Sequence, residues 1–259
     1  MELINLKNIS TTEAILGYAT CTSSVDQLVS SVVTHVAATK PCAWLACLNP
    51  HSYVVALDDA EFSSALKDAD WLMPDGAGIV LASKVLGGAI RQRITGSDIF
   101  YVLNKRMNGI GNFSVFFLGA SEECLADIQL CMARDYPNVR FAGCYSPPFK
   151  PVYNEAEIEA MISAINESGA DVLWAGMTAP KQEKWLHQNS GRLNVKFAAA
   201  IGAVFDFYTG RVKRSHPLFQ RLGLEWLPRL IQEPRRLWQR NFVSTPVFLM
   251  RLVRYRIFR

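Results

Sequence analysis

Unbroken apolar runs and amphipathic stretches alternate along this chain from about residue 20 onward. Residues 24–36 carry helical periodicity behind a capping serine, and the run 43–48 that follows reads as a buried strand. Further strands are predicted at 71–73, 113–118, 139–142, 172–175 and 195–199, with helical patterns at 122–134 and 155–166 between them. The strands are apolar throughout instead of alternating with polar positions, so both faces of the sheet must be covered. That pattern predicts an α/β fold, a mostly parallel sheet flanked by helices. No internal repeat or low-complexity segment interrupts it.

In such a sheet, ligands sit outside the carboxyl ends of the strands. Asn49, Asp75 with Gly76, Gly119, and Thr178-Ala179-Pro180 each come just after a predicted strand, which gathers them on one edge. Pro74 and Gly76 pin a turn around Asp75 and leave its carboxylate at a strand end. Ser97 and Asp98 suit a helix start, and a helix N-terminus also binds phosphate, so capping and ligand binding are both open there. Pro180 and Glu183 likewise fit the first turn of a helix as well as a ligand contact. Gly76-Ala77-Gly78 is followed by Leu81 where a dinucleotide fingerprint needs a third glycine, which argues against a dinucleotide enzyme.

Charge divides the chain in two. Residues 211–259 hold twelve Lys and Arg against two Glu, a local +10 in a chain of net +4, leaving −6 for the rest. The expected division is therefore a catalytic α/β domain over 1–210 and a basic, helical appendage over 211–259. Aromatic residues, among them Trp226, Trp238, Phe242, Phe248 and Tyr255, intersperse with its arginines, the composition of a segment lying at an anionic membrane surface. Arg214, Arg229, Arg236 and Arg240 are the candidates for phosphate contact. Arg229 and Arg236 would share a helical face, although Pro234 argues for a break between them. No nucleic-acid motif accompanies the basic residues, so nucleic acid is not an expected partner.

Half of the 259 residues are apolar, yet no run is long enough to span a bilayer, and the N-terminus lacks the pattern of a signal peptide. A cytoplasmic protein, peripheral on the inner face of the plasma membrane, is expected. The six cysteines form no C-x-x-C pair and the four histidines are far apart, so neither a zinc site nor a disulfide framework is indicated. Asp68-Ala69-Asp70, the one D-x-D spelling, precedes a strand and should lie at the edge opposite the ligands. A metal-binding carboxylate pair is not expected.

Seven blocks stand in collinear order between about residues 40 and 240. They are Asn49, Pro74-Asp75-Gly76, Thr95-Gly96-Ser97-Asp98, Leu118-Gly119, Pro180-Lys181-Gln182-Glu183, Phe205-Asp206 with Gly210 and Lys213-Arg214, and Gly223-Leu224-Glu225-Trp226. On these the chain resembles the WecG/TagA/CpsF family of bacterial glycosyltransferases. The resemblance implies a Rossmann-like, mononucleotide-binding fold and inverting transfer of a sugar from a UDP-sugar to a polyprenyl-diphosphate-linked saccharide in surface polysaccharide synthesis. It implies that Asp75 is the general base, a role chemically required because the acceptor hydroxyl must lose its proton as UDP leaves. It also implies substrate contacts from Asn49, Gly76, Gly96, Asp98, Gly119, Gln182, Glu183 and Asp206, with arginines instead of a metal neutralising the leaving diphosphate.

Cys47 departs from this pattern. It occupies the place of a threonine in the family's T-x-N segment, exchanging a good hydroxyl donor for a weak thiol and putting N-acetylmannosamine as the donated sugar in question. Thr178 stands where many members have glycine. A nucleophilic role for Cys47 lacks a neighbouring basic motif to form the thiolate. Homo-oligomerisation is compatible with the chain. The competing functional class is a non-catalytic membrane adaptor that keeps the fold and the basic tail.

Overall fold

The computed structural model describes residues 11–38, 41–212 and 238–258. Its N-terminal element is a hairpin of β1 (Thr12–Ile15) and β2 (Tyr18–Cys21), paired antiparallel. The two-residue loop Leu16-Gly17 takes positive φ at both positions, 49° and 91°, matching the right-handed twist of the strands it joins. Periodicity had not signalled this hairpin, because four-residue strands give alternation too little length to register.

The body is a six-stranded, wholly parallel sheet in the order β4-β3-β8-β7-β5-β6. The strands are β3 (Ala43–Leu48), β4 (Trp71–Pro74), β5 (Phe113–Gly119), β6 (Val139–Tyr145), β7 (Val172–Gly176) and β8 (Phe197–Ala200). All six lie where the apolar runs predict. The helices are α1 (Val25–Ala37), α2 (Pro50–Asp58), α3 (Ala60–Asp68), α4 (Ala77–Leu86), α5 (Gly96–Ile110), α6 (Glu122–Asp135), α7 (Glu155–Glu167), α8 (Lys181–Asn189), α9 (Val204–Tyr208) and, near the C-terminus, α10 (Thr245–Ile257).

Burial follows from the two-residue side-chain period of a strand. On β3, Trp44, Ala46 and Leu48 join one core while Ala43 and Leu45 join the other. On β7, Leu173 and Ala175 face the first and Val172 and Trp174 the second. The first core is closed by α2, α3, α4, α7, α8 and α10, the second by α1, α5, α6 and α9. Continuous apolarity in the strands is thus the direct result of covering on both sides.

The crossover between β3 and β4 holds two helices joined through a single residue, which the periodicity did not resolve. Asp59 ends α2 and caps α3, its carboxylate accepting from the Phe62 amide at 3.0 Å. Lys184 of α8 then forms an ion pair with Asp59 at 2.6 Å, tying the helix pair to the helix that carries Gln182 and Glu183.

Of the basic C-terminal part, Gln239–Ser244 form a π-helical turn that runs directly into α10. Phe248 and Leu252 of α10 are buried in the first core, with Phe248 set edge-on to Tyr53 of α2 at 5.4 Å between ring centroids. Burying those two side chains contributes on the order of 2 kcal/mol each. Arg214, Arg229 and Arg236 lie outside the described residues. No helix among the described residues is long and apolar enough to cross a membrane.

Candidate active site

The carboxyl ends of the strands open onto a cavity of about 1120 Å³. Cys47, Asn49, Asp75, Gly76, Gly96, Gly119, Gln182, Glu183, Asp206 and Arg240 all line it. Ten of the sequence-derived site residues therefore meet in one place, as the strand-edge rule requires.

Asn49 caps α2, and its cap fixes its chemistry. Its Oδ1 accepts from the backbone N–H groups of His51 at 3.1 Å and Ser52 at 2.9 Å, so the amide NH₂ must point the other way. It donates to Asp75 Oδ2 at 3.2 Å. Ser52 returns the cap, its Oγ accepting from the Asn49 N–H at 2.7 Å, and Pro50 preorganises the first turn. The Asp75 backbone N–H is held by the carbonyls of Leu48 at 2.8 Å and Met73 at 3.0 Å. The carboxylate is thus fixed at the sheet edge through both its backbone and its side chain.

The glycines of the site answer to backbone geometry. Gly119 has φ of 117°, and a Cβ there would come within 2.7 Å of the Gly176 carbonyl. Gly176 in turn is stacked on the Phe205 ring, where a Cβ would come to 2.3 Å. The ends of β5 and β7 and the start of α9 are locked together through these two positions. Gly96, which begins α5, sits against the Ile201 backbone, with 3.1 Å between a Cβ and the Ile201 carbonyl oxygen.

Asp98 resolves toward capping. Its Oδ2 accepts from the Thr95 N–H at 2.9 Å and the Thr95 hydroxyl at 2.8 Å, while Thr95 Oγ1 accepts from the Asp98 N–H at 3.3 Å. This closed capping box turns the carboxylate back on its own helix. Asp98 does not line the cavity; Thr95, Gly96 and Ser97 do.

Cys47 lies half-buried in the cavity floor. Burial pushes its thiol well above the ordinary range, and the charges of Asp75, Glu183 and Asp98 push it further, against an opposing hydrogen bond from the Gly96 backbone. It is a neutral thiol at physiological pH, which removes the nucleophilic reading.

Gln182 and Glu183 are buried in the first turn of α8. Gln182 Oε1 accepts from the Gly202 N–H at 3.2 Å, so its amide nitrogen faces Glu183 and donates to Oε1 at 2.9 Å. Glu183 Oε2 is buried without a hydrogen-bond partner. Burial raises its carboxyl from 4.5 to about 7, against smaller opposing contributions from Gln182 and its own backbone N–H.

Cations line the same cavity. Arg93 lines the cavity just before the Thr95 cap, and Arg240 reaches it from the π-helical turn. Lys181 lines it too, its ammonium donating to the Lys150 carbonyl at 3.0 Å and lying over the Tyr153 ring at 4.8 Å. Arg211, also at the wall, is paired with Asp127 at 2.6 Å. Sequence reasoning left Arg93, Lys181 and His51 out of the site. For Arg93 and Lys181 the signal was adjacency to a recognised block, and for His51 adjacency to Asn49. His51 Nδ1 shares a hydrogen bond of 2.8 Å with Ser244, linking the first turn of α2 to the C-terminal segment.

The D-x-D spelling lies at the far edge. Asp70 accepts from the Trp44 N–H at 2.9 Å at the start of β3, and Asp68 faces His187 at 3.8 Å.

A parallel sheet with a fixed carboxylate at its carboxyl edge, beside a large cavity also lined by cations, has the groups that proton abstraction from one substrate and binding of an anionic one would need. The profile of the Glycosyl transferase WecG/TagA/CpsF family matches residues 13–259, and the chain belongs to that family. It is a glycosyltransferase. It is 30% identical over 235 residues to the N-acetylglucosaminyldiphosphoundecaprenol N-acetyl-beta-D-mannosaminyltransferase of Bacillus spizizenii, covering 89% of this chain and 88% of that protein. The proteins of the same name from Bacillus subtilis and Staphylococcus aureus are 27% and 24% identical, covering 94% and 93% of this chain and 91% of each relative. Family membership, together with Asp75 in place in the cavity, sets aside the adaptor reading.

Proposed function

We propose that this protein transfers a sugar from a UDP-sugar to a polyprenyl-diphosphate-linked saccharide, with inversion, during assembly of a cell-envelope polymer. The observation that carries the reading is Asp75, held by Asn49 at 3.2 Å on the cavity wall. In this reading Asp75 takes the proton of the acceptor hydroxyl as that oxygen attacks the anomeric carbon, and UDP leaves from the opposite side. Arg93 and Arg240 offset the charge that grows on the departing diphosphate, with Arg214, Arg229 and Arg236 as the further candidates for that role.

The names of the relatives supply the first substrates to try: an N-acetylmannosaminyl donor and N-acetylglucosaminyl-diphospho-lipid as acceptor. Cys47 is the reason to test other donors beside it, because its thiol is a weaker hydrogen-bond donor than the threonine hydroxyl of the family pattern. Metal independence belongs to the same proposal. The D-x-D spelling is at the edge away from the cavity, with Asp70 engaged by the Trp44 amide.

Membrane contact through the C-terminal part is supported by α10, whose buried Phe248 and Leu252 dock it while Met250, Val253 and Ile257 stay exposed beside Arg251, Arg254 and Arg256. That outer face has the composition of an interfacial helix at an anionic leaflet. The deciding experiment measures UDP release and product formation with a panel of UDP-hexoses and a short-chain acceptor, with and without EDTA. Transfer that needs the acceptor and survives chelation is expected. Absence of transfer with every donor would overturn the reading, and activity restored only by added Mg²⁺ or Mn²⁺ would overturn its metal-free part.

A further inference from the structure

Glu183 is a buried acid with half of its carboxyl uncommitted. The Gly202 N–H sets which way the Gln182 amide faces, that amide donates to Glu183 Oε1, and Oε2 is left buried and unpartnered in a residue that lines the cavity. A carboxylate in this position would hold a full charge out of water with a single donor to stabilise it, a heavy desolvation penalty. A carboxylic acid would keep Oε1 as the acceptor that Gln182 needs and place its proton on Oε2.

Burial favours the neutral form. Cys47 on β3, Asp75 after β4 and Asp206 on α9 line the same cavity; Arg93, Arg211 and Arg240 line it too, Arg211 paired with Asp127, but burial and not a neighbouring cation dominates at the Glu183 carboxyl. The lysines of its own helix are engaged elsewhere, Lys184 with Asp59 at 2.6 Å and Glu61 at 3.2 Å, Lys181 with the Lys150 carbonyl. Burial holds the carboxyl near pH 7 instead of 4.5. A neutral acid can meet an anion without repulsion, and Glu183 stands in the first turn of a nine-residue helix whose N-terminus opens on the cavity.

We propose that Glu183 binds substrate as a neutral carboxylic acid, its Oε2–H donating a hydrogen bond to a diphosphate oxygen of the bound sugar nucleotide. This rests on the UDP-sugar reading above. It makes binding, and not only chemistry, dependent on pH: substrate binds the protonated enzyme, so affinity falls once Glu183 ionises.

The test is calorimetric titration of the full chain with a UDP-hexose, whose diphosphate diester has no proton to lose near neutrality. Wild-type affinity should weaken about tenfold from pH 6 to pH 8, with proton uptake on binding between them that is visible by repeating the titration in buffers of different ionisation enthalpy. Glu183→Gln, which keeps a donor at the same place, should bind with no such slope. A wild-type affinity that is flat with pH and binding without proton uptake would overturn the proposal, as would a slope that persists in Glu183→Gln. A slope seen with a short prenyl-diphosphate-linked saccharide and not with the UDP-hexose would move the contact to the acceptor and overturn the assignment to the donor. Failure of any UDP-hexose to bind at any pH is a different result, and sinks the donor reading itself.

Discussion

Asn49 and Asp75, twenty-six residues apart, are joined by a hydrogen bond of 3.2 Å from Nδ2 to Oδ2, and the helix cap of α2 dictates its direction. Because Oδ1 is consumed by the amides of His51 and Ser52, a rotated Asn49 amide would break two cap bonds. The cap therefore works as an orienting device for the carboxylate. Asn49→Ala should lower the unfolding free energy by about 1 kcal/mol through loss of the cap, and should reduce kcat more than that loss of stability explains. Asp75→Asn keeps the shape and removes the base, so turnover should fall on the order of 10²- to 10⁴-fold while UDP binding stays near wild type. Chemical denaturation beside steady-state kinetics checks both. Wild-type turnover in Asp75→Asn would remove Asp75 from the mechanism.

Gly119→Ala should be strongly destabilising, for reasons of packing alone. The new Cβ would meet the Gly176 carbonyl at 2.7 Å in a backbone of φ 117°, and Gly176 is itself packed so closely on the Phe205 ring that it has no room for a Cβ. A loss of several kcal/mol is expected, summing strain and overpacking. A melting temperature within a few degrees of wild type would show that the ends of β5 and β7 yield more than this geometry allows.

The sheet and its reactive edge were legible in the sequence because fully covered strands leave continuous apolar runs, and six such runs gave all six strands. Asn49, Asp75, Gly119 and Glu183 were found by position after those runs together with the family blocks. The β1–β2 hairpin and the α2–α3 pair were not, since elements of four to nine residues joined by one or two give periodicity little length to act on. Asp98 shows why residue type alone leaves a role open: a carboxylate three residues after Thr95 suits a capping box and a ligand contact equally, and only the observed bonds assign it to the cap. The partnering of Glu183 had no sequence signal, because it depends on Gly202, nineteen residues away.

Glu183 also predicts a stability profile. Its folded value of about 7 lies above the 4.5 of the unfolded chain, so the native state binds more protons between these pH values and loses stability as pH rises through them. The contribution is fully present below about pH 4.5 and gone above about pH 7, an excursion of about 3 kcal/mol by the linkage relation. Glu183→Gln should remove this slope, making the variant gain on wild type as pH increases. Urea denaturation of both proteins at pH 5 and pH 8 measures it, and an unchanged difference between the two would mean Glu183 is ionised in the folded protein throughout.

The C-terminal helix separates docking from membrane contact on opposite faces. Phe248 is fully buried against Tyr53 while Arg251, Arg254 and Arg256 are exposed. Phe248→Ala should cost about 3–5 kcal/mol if the helix stays docked, less if it detaches, and should disturb transfer because His51 and Ser244 join the same segment to the first turn of α2. Replacing Arg251, Arg254 and Arg256 by Gln leaves that inner face intact. Each basic residue near an anionic surface contributes about 1 kcal/mol, so the triple variant should bind anionic vesicles on the order of a hundredfold more weakly, with a shallower salt dependence. Transfer to a short soluble acceptor should be retained, since none of the three lines the cavity. Vesicle sedimentation across a salt series, run beside the soluble transfer assay, separates the two roles. Full sedimentation of the triple variant, or loss of soluble transfer in it, would show that the exposed face of α10 is not the membrane contact.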